Sequence, residues 1–242
     1  MTLLAELLKA LPQKPVPVRD VIIGVHWTMV VSKTCGLGST LLNNGPHGHW
    51  KMRDVGALQQ YSAQELATWI ESDNLLEASV GVAALNSLIE VDSNKLKEIN
   101  AAEVIAREAA GKNLAVIGHF PFLSKVKELT QNLWVIEKDP HGDDLPEEAA
   151  RDYLPQADVV AITATALINH TMEALLSLCQ PEALVMILGP STPLSPVLFE
   201  RGVTYLSGAR VIEEAAARRT ILQGASFPQV QGVQVVTMGR DV

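Results

Sequence analysis

The spacing of apolar positions changes character near residue 100. Before it, residues 1–11 read as a short amphipathic helix, and Gln13-Lys14-Pro15-Val16-Pro17 then forces extended backbone. Residues 18–31 carry β-branched side chains almost without interruption and predict a strand. Ser32-Lys33-Thr34-Cys35-Gly36 supplies a turn, and residues 37–42 return as the second strand of an antiparallel hairpin. Residues 43–49 are a loop by composition. Ser62-Ala63-Gln64-Glu65 has capping-box spacing and opens a helix through about Glu71, and residues 75–90 predict another. A hairpin followed by helices describes a small α+β unit.

Beyond that point helix and strand alternate. Residues 100–110 predict a helix stopped at Gly111, followed by a buried strand over 114–118. Residues 133–137, 158–163, 184–188 and 203–206 are further short apolar runs, of the kind that crossover helices cover on both faces, and residues 233–238 suit an edge strand. The expected fold is α/β, a Rossmann-like parallel-sheet domain over residues 101–242 preceded by a smaller α+β domain over residues 1–100 that closes over it.

Composition agrees with a fully folded chain, since 48% of the 242 residues are hydrophobic and 19% charged. A net charge of −8 without any Lys/Arg run makes nucleic acid an unlikely partner. Glu6 interrupts the opening apolar segment, no basic n-region or A-x-A site accompanies it, and no apolar run approaches the ~20 residues that span a bilayer. A soluble protein without membrane insertion is expected. Cys35 and Cys179 are far apart in sequence and lack a C-x-x-C partner, which suits a reducing cytoplasm.

In open α/β sheets ligands bind beyond the carboxyl ends of the strands, where strand order reverses. Four loops follow the predicted strands at such ends. In Gly118-His119-Phe120-Pro121, Phe120 and Pro121 stand where a pyrophosphate needs bare N–H groups, so NAD is disfavoured. Glu137 lies nineteen residues beyond Gly118, at the position that accepts from a ribose diol in nucleotide-binding sheets; a solvated strand-end residue is the alternative. His119 follows a buried strand directly and is either a site group or a satisfied structural histidine. Thr163, Thr165, Asn169 and Thr171 crowd the third loop, where Asn169 can N-cap the next helix. Gly189-Pro190-Ser191 opens a fourth, proline-stiffened loop. His47-x-His49 is the local pair with metal-ligand character, and Cys35 is a soft ligand or a small buried hydrophobe. Asn86 sits mid-helix among small apolar residues, where an amide needs a partner; the second domain, with His119 and Ser191, is expected to supply it.

At these positions the sequence resembles the heavy-metal chelation family, formerly domain of unknown function 364, with its associated N-terminal domain. The matching stretches are Gly81-Val82-Ala83-Ala84-Leu85-Asn86, Val116-Ile117-Gly118-His119-Phe120-Pro121, Leu154-Pro155-Gln156-Ala157-Asp158-Val159-Val160, Thr163-Ala164-Thr165-Ala166-Leu167-Ile168-Asn169-His170-Thr171, Gly189-Pro190-Ser191-Thr192-Pro193 and Gly202-Val203. The resemblance implies an enolase N-terminal-like domain before an atypical Rossmann-like domain, with a site shared by both. It also implies a role in heavy-metal chelation, or in condensation or hydrolysis steps toward pterin-, flavin- or siderophore-like molecules. The family's motif positions fall on Asn86, His119, Glu137, Thr163, Thr165, Asn169, Gly189, Pro190 and Ser191. His47, His49 and Cys35 are not among them.

Two functional classes stand, an enzyme acting on a small heteroaromatic or nucleoside-like compound and a non-catalytic protein that holds a metal or metal chelate. A methyltransferase-like enzyme with a nucleoside cofactor ranks behind them. Whether the chain catalyses a reaction, whether a divalent or transition metal is its cofactor and whether it is a homo-oligomer stay open at this level.

Overall fold

The computed structural model describes residues 1–44 and 51–240. It contains two sheets. β1 (Asp20–Ile23), β2 (Trp27–Val31) and β3 (Cys35–Ser39) form an antiparallel sheet in that order. The strand predicted over residues 18–31 is therefore two strands. Gly24 N–H donates to the Trp27 carbonyl at 2.9 Å, closing a tight turn that places Val25 in solvent. An apolar residue at the turn tip is why the run looked continuous.

Helix Leu75–Leu88 crosses this sheet at close quarters and is buried on nearly all sides. Glycines set the approach. A Cβ at Gly36 would lie 2.1 Å from the Ala83 carbonyl oxygen, and one at Gly38 would lie 2.8 Å from that of Ser79. Upstream, the Ser62–Glu65 capping box forms as the spacing predicted; its helix, Ala63–Ala67, tightens into a 3-10 turn over Thr68–Glu71.

The second sheet comprises β4 (Asn113–Ile117), β5 (Asn132–Glu137), β6 (Leu145–Pro146), β7 (Val159–Thr163), β8 (Leu184–Leu188), β9 (Tyr205–Val211) and β10 (Val233–Gly239). Their order is β10-β9-β8-β7-β4-β5-β6, parallel throughout except for β10, which pairs antiparallel with β9 along the edge. β9 starts later and runs further than the apolar run over 203–206 suggested. Successive residues of the buried strands feed opposite faces. Leu114, Val116, Val159 and Ala161 enter one apolar cluster, while Ala115, Val160 and Ile162 enter another. This second cluster also takes in Leu3, Leu66 and Val82, so one core lies beneath both sheets. The segment joining the halves lies along β10: Lys97 and Thr237 exchange backbone hydrogen bonds of 2.9 and 2.8 Å. That contact satisfies the backbone groups of Thr237 on an edge that would otherwise leave them unpaired.

The chain leaves β4 toward β5 and β6 on one side, and leaves β7 toward β8 and β9 on the other. β4 and β7 are neighbours, so strand order reverses between them. The crevice beyond their carboxyl ends is the topological switch point.

Candidate ligand site at the switch point

A cavity of ≈ 310 Å³ opens at this crevice. Gly118, His119 and Phe120 after β4, Glu137 at the end of β5, and Thr163, Thr165, Asn169 and Thr171 after β7 all line it. These are eight of the residues singled out from sequence. Ile117, Ile136, Ala150, Ala166 and Leu175 give it apolar walls, and Leu41, just beyond β3, is the contribution of the N-terminal half.

Local geometry explains the convergence. Gly118 ends β4 with φ +107°, a conformation that favours glycine, and a Cβ there would sit 3.1 Å from Thr163 Cβ and 3.2 Å from the Phe120 ring. Its N–H donates to the Ile136 carbonyl at 3.0 Å, which holds Glu137 on the adjacent strand beside it. Phe120 stacks on Phe122 with ring centroids 5.4 Å apart and planes at 16°. The edge of its ring lies close to Gly118, in the space that a side chain there would enter.

The polar groups are partly engaged with one another. Thr163 Oγ1 and Thr165 Oγ1 lie 3.0 Å apart, and Asn169 Oδ1 accepts from Thr171 Oγ1 at 2.7 Å. Asn169 does not cap the following helix, Met172–Leu178, whose N-cap is Thr171 without a side-chain bond. A residue two positions before the cap can reach Thr171 but not the helix amides. Glu137 Oε2 accepts from the Lys138 N–H at 3.1 Å. Lys138, in the loop after the second strand, and Glu147, neither of them a candidate site residue from sequence, also line the cavity and pair at 3.6 Å. Both are half-exposed, so their attraction contributes little to stability.

His119 is held from behind. Its Nδ1 lies 3.1 Å from Asp144 Oδ2; the imidazole is 60% exposed and the carboxylate side chain only 7%. A buried carboxylate on one ring nitrogen orients the ring and leaves Nε2 available, the arrangement of a base with its orienting acid. Asp144 sits in a polar loop 25 residues away, and only the density of charge at Asp143-Asp144 could have drawn attention to it.

Asn86 reaches the Ser191 loop as expected, donating from Nδ2 to the Leu37 carbonyl at 2.8 Å and the Ser191 carbonyl at 3.0 Å. It does not approach His119. Asn86 and Cys35 line a second cavity, bounded also by Thr192 and Arg210, because the Ser191 loop follows β8 while His119 follows β4, two strands away. Ser191 is buried and holds Ser39 through its Oγ at 2.8 Å from the backbone N–H and 2.9 Å from the hydroxyl. Gly189, at φ +114°, and Pro190 shape that loop and line neither cavity.

Among the metal candidates, His47 and His49 lie outside the described residues. Cys35 donates to Glu214 at 3.6 Å, and burial together with that carboxylate pushes its thiol up to about 11. At neutral pH it is protonated, opposite to what a thiolate ligand needs. Among the described residues no three His, Cys, Asp or Glu side chains are grouped to hold a metal ion. No described helix is long and apolar enough to cross a membrane.

The chain is similar to known proteins over both of its halves. Residues 100–238 match a family model described as "Putative heavy-metal chelation", domain of unknown function 364, and residues 4–89 match a second model with the same description, domain of unknown function 4213. A crystal structure of a protein of unknown function from the first of these families, from Desulfitobacterium hafniense, is 29% identical with a TM-score of 0.81, covering 98% of this chain and 96% of that one. Another from the same family, from Pyrococcus horikoshii, shares 22% identity, the same TM-score of 0.81 and 98% of each chain, and shows likeness of fold. An uncharacterized protein of Methanocaldococcus jannaschii is 26% identical over 188 residues, which are 75% of this chain and 71% of that protein.

Proposed function

Since the chain belongs to the heavy-metal chelation family, domain of unknown function 364, we propose that it binds a small organic molecule at the switch point and handles heavy metal as a complex of that molecule. The observation that carries this reading is the gathering of Gly118, His119, Phe120, Glu137, Thr163, Thr165, Asn169 and Thr171 around one cavity with apolar walls. An organic ligand needs apolar contact and a few placed polar groups. A bare ion needs converging donors, and here two of the carbonyl and hydroxyl oxygens, on Asn169 and Thr163, already serve their neighbours. His47 and His49 are our candidates for direct metal contact.

Residues 1–100 and 101–242 act in this reading as two domains that share the site, with Leu41 as the part of the first that reaches it. The oriented His119 favours a second reading, an enzyme using His119 as acid or base in condensation or hydrolysis toward pterin-, flavin- or siderophore-like compounds. Native mass spectrometry of protein purified without added ligand, with elemental analysis of the same sample, tests the first. An organic adduct should be present, should carry any metal with it, and should vanish in Thr165→Phe, which fills the cavity. Metal bound without an adduct, no adduct at all, or an adduct retained in a folded Thr165→Phe protein would each overturn it.

A further inference from the structure

The charge and hydrogen-bonding capacity left in the cavity point to a ligand class. Glu137 and Glu147 line it with one ammonium, Lys138, already paired with Glu147, and with the imidazole of His119, whose Nδ1 is engaged by the Asp144 carboxylate. A ligand phosphate would add negative charge to this set. It would also meet Pro121, which has no N–H, and the edge of the Phe120 ring close beside Gly118. The helix after the loop, Leu123–Lys127, has five residues, too short to offer an anion site of its own. The surroundings thus select against anions.

Glu137 offers the opposite preference. Its one hydrogen bond among the described residues is to the Lys138 N–H through Oε2, leaving lone pairs on both oxygens. Strand register fixes it beside Gly118, at the end of the strand next to the switch point, where a carboxylate meets the two hydroxyls of a ribose. Phe120 supplies an aromatic wall for a flat base. A cavity of ≈ 310 Å³ is at the small end for ligand pockets, suited to a nucleoside rather than a dinucleotide.

We propose that the molecule bound here is a ribonucleoside without phosphate, neutral or cationic, whose vicinal diol donates to Glu137. This rests on the reading above that the switch-point cavity is the ligand site. The experiment is calorimetric titration of the full chain with adenosine, guanosine, cytidine and uridine, and with the 2′-deoxy and 5′-monophosphate counterpart of each. At least one ribonucleoside should bind, and its deoxy and phosphorylated counterparts should bind at least ~10-fold more weakly, a tenfold change being ~1.4 kcal/mol. Glu137→Gln, checked for folding by circular dichroism, should bring ribo and deoxy forms to within about 2-fold of each other. Failure of all four ribonucleosides to bind, equal or tighter binding of a monophosphate, or an undiminished diol preference in Glu137→Gln would overturn the proposal. If no nucleoside binds while Thr165→Phe still loses its adduct, the ligand class is wrong and the site stands. If the adduct survives in Thr165→Phe as well, the site itself is misplaced.

Discussion

Asn86 and Ser191 meet where the helix of one half touches a loop of the other: Asn86 Nδ2 donates to the Ser191 carbonyl at 3.0 Å while also holding Leu37 at 2.8 Å. The amide oxygen on the same side chain is buried without a partner. Turning the amide over would set its oxygen against two carbonyls, so the geometry fixes its orientation.

Asn86→Ala should therefore lower unfolding free energy by roughly 1–3 kcal/mol, since two inward-facing carbonyls lose their donor. Asn86→Asp should cost more, because it aims a carboxylate at those carbonyls. Urea denaturation of the three proteins decides it, and a loss below about 0.5 kcal/mol for the alanine variant would mean that water replaces the amide at no cost.

Gly118→Ala should destabilise by about 1–3 kcal/mol, combining the strain of a positive φ with a contact against Thr163. Adding Thr163→Ser removes Cγ2, which lies 3.2 Å from the new Cβ, and should return part of that loss. Additive effects of the two changes in thermal unfolding would contradict the contact.

Glu77 makes stability depend on acid. Burial opposes its charge, yet the Ser72 hydroxyl at 2.7 Å, the Arg53 backbone N–H at 2.9 Å and the Arg53 guanidinium at 2.8 Å outweigh it. The folded carboxyl thus sits below its usual value of 4.5. Its contribution is fully present above that value and is lost as pH falls through the lower folded one. Between about pH 5 and pH 3 the denaturation midpoint of the native protein should fall more steeply than that of Glu77→Gln. Parallel curves would show that the cluster does not stabilise the fold.

Both thiols should be slow. Burial pushes Cys179 up to about 11, and burial with Glu214 does the same for Cys35. Reaction with a disulfide reagent at about pH 8 should be far slower than in the denatured chain, and Glu214→Gln should speed Cys35 while leaving Cys179 unchanged. Rapid labelling of the folded native protein would show that one thiolate is accessible after all.

Much of the fold was legible because the strands at 114–118, 158–163 and 184–188 are short apolar runs buried on both faces, which leaves little choice of partner layer. The division at Gly24 was not, since Val25 is an apolar residue spent on a solvent-exposed turn. The loops of the site were legible from the carboxyl-end rule. Which loops share a cavity was not, because that depends on β4 lying beside β7, and strand order is a long-range property. For the same reason Asn86 found Ser191 but not His119, and Asp144 went unnoticed behind His119 across a polar loop.

The core that passes beneath both sheets, together with the segment strapped to β10 through Lys97 and Thr237, bears on how the molecule comes apart. A protease nick between the halves would not free two stable fragments, because Leu66 and Val82 on one side share their packing with Val160 and Leu206 on the other. The shared packing should make the halves melt together, as one transition in calorimetry. A ligand seated against Thr163 would slow amide exchange even in helix Leu75–Leu88, which never touches it, because exchange through global opening is suppressed wherever the whole fold is stabilised.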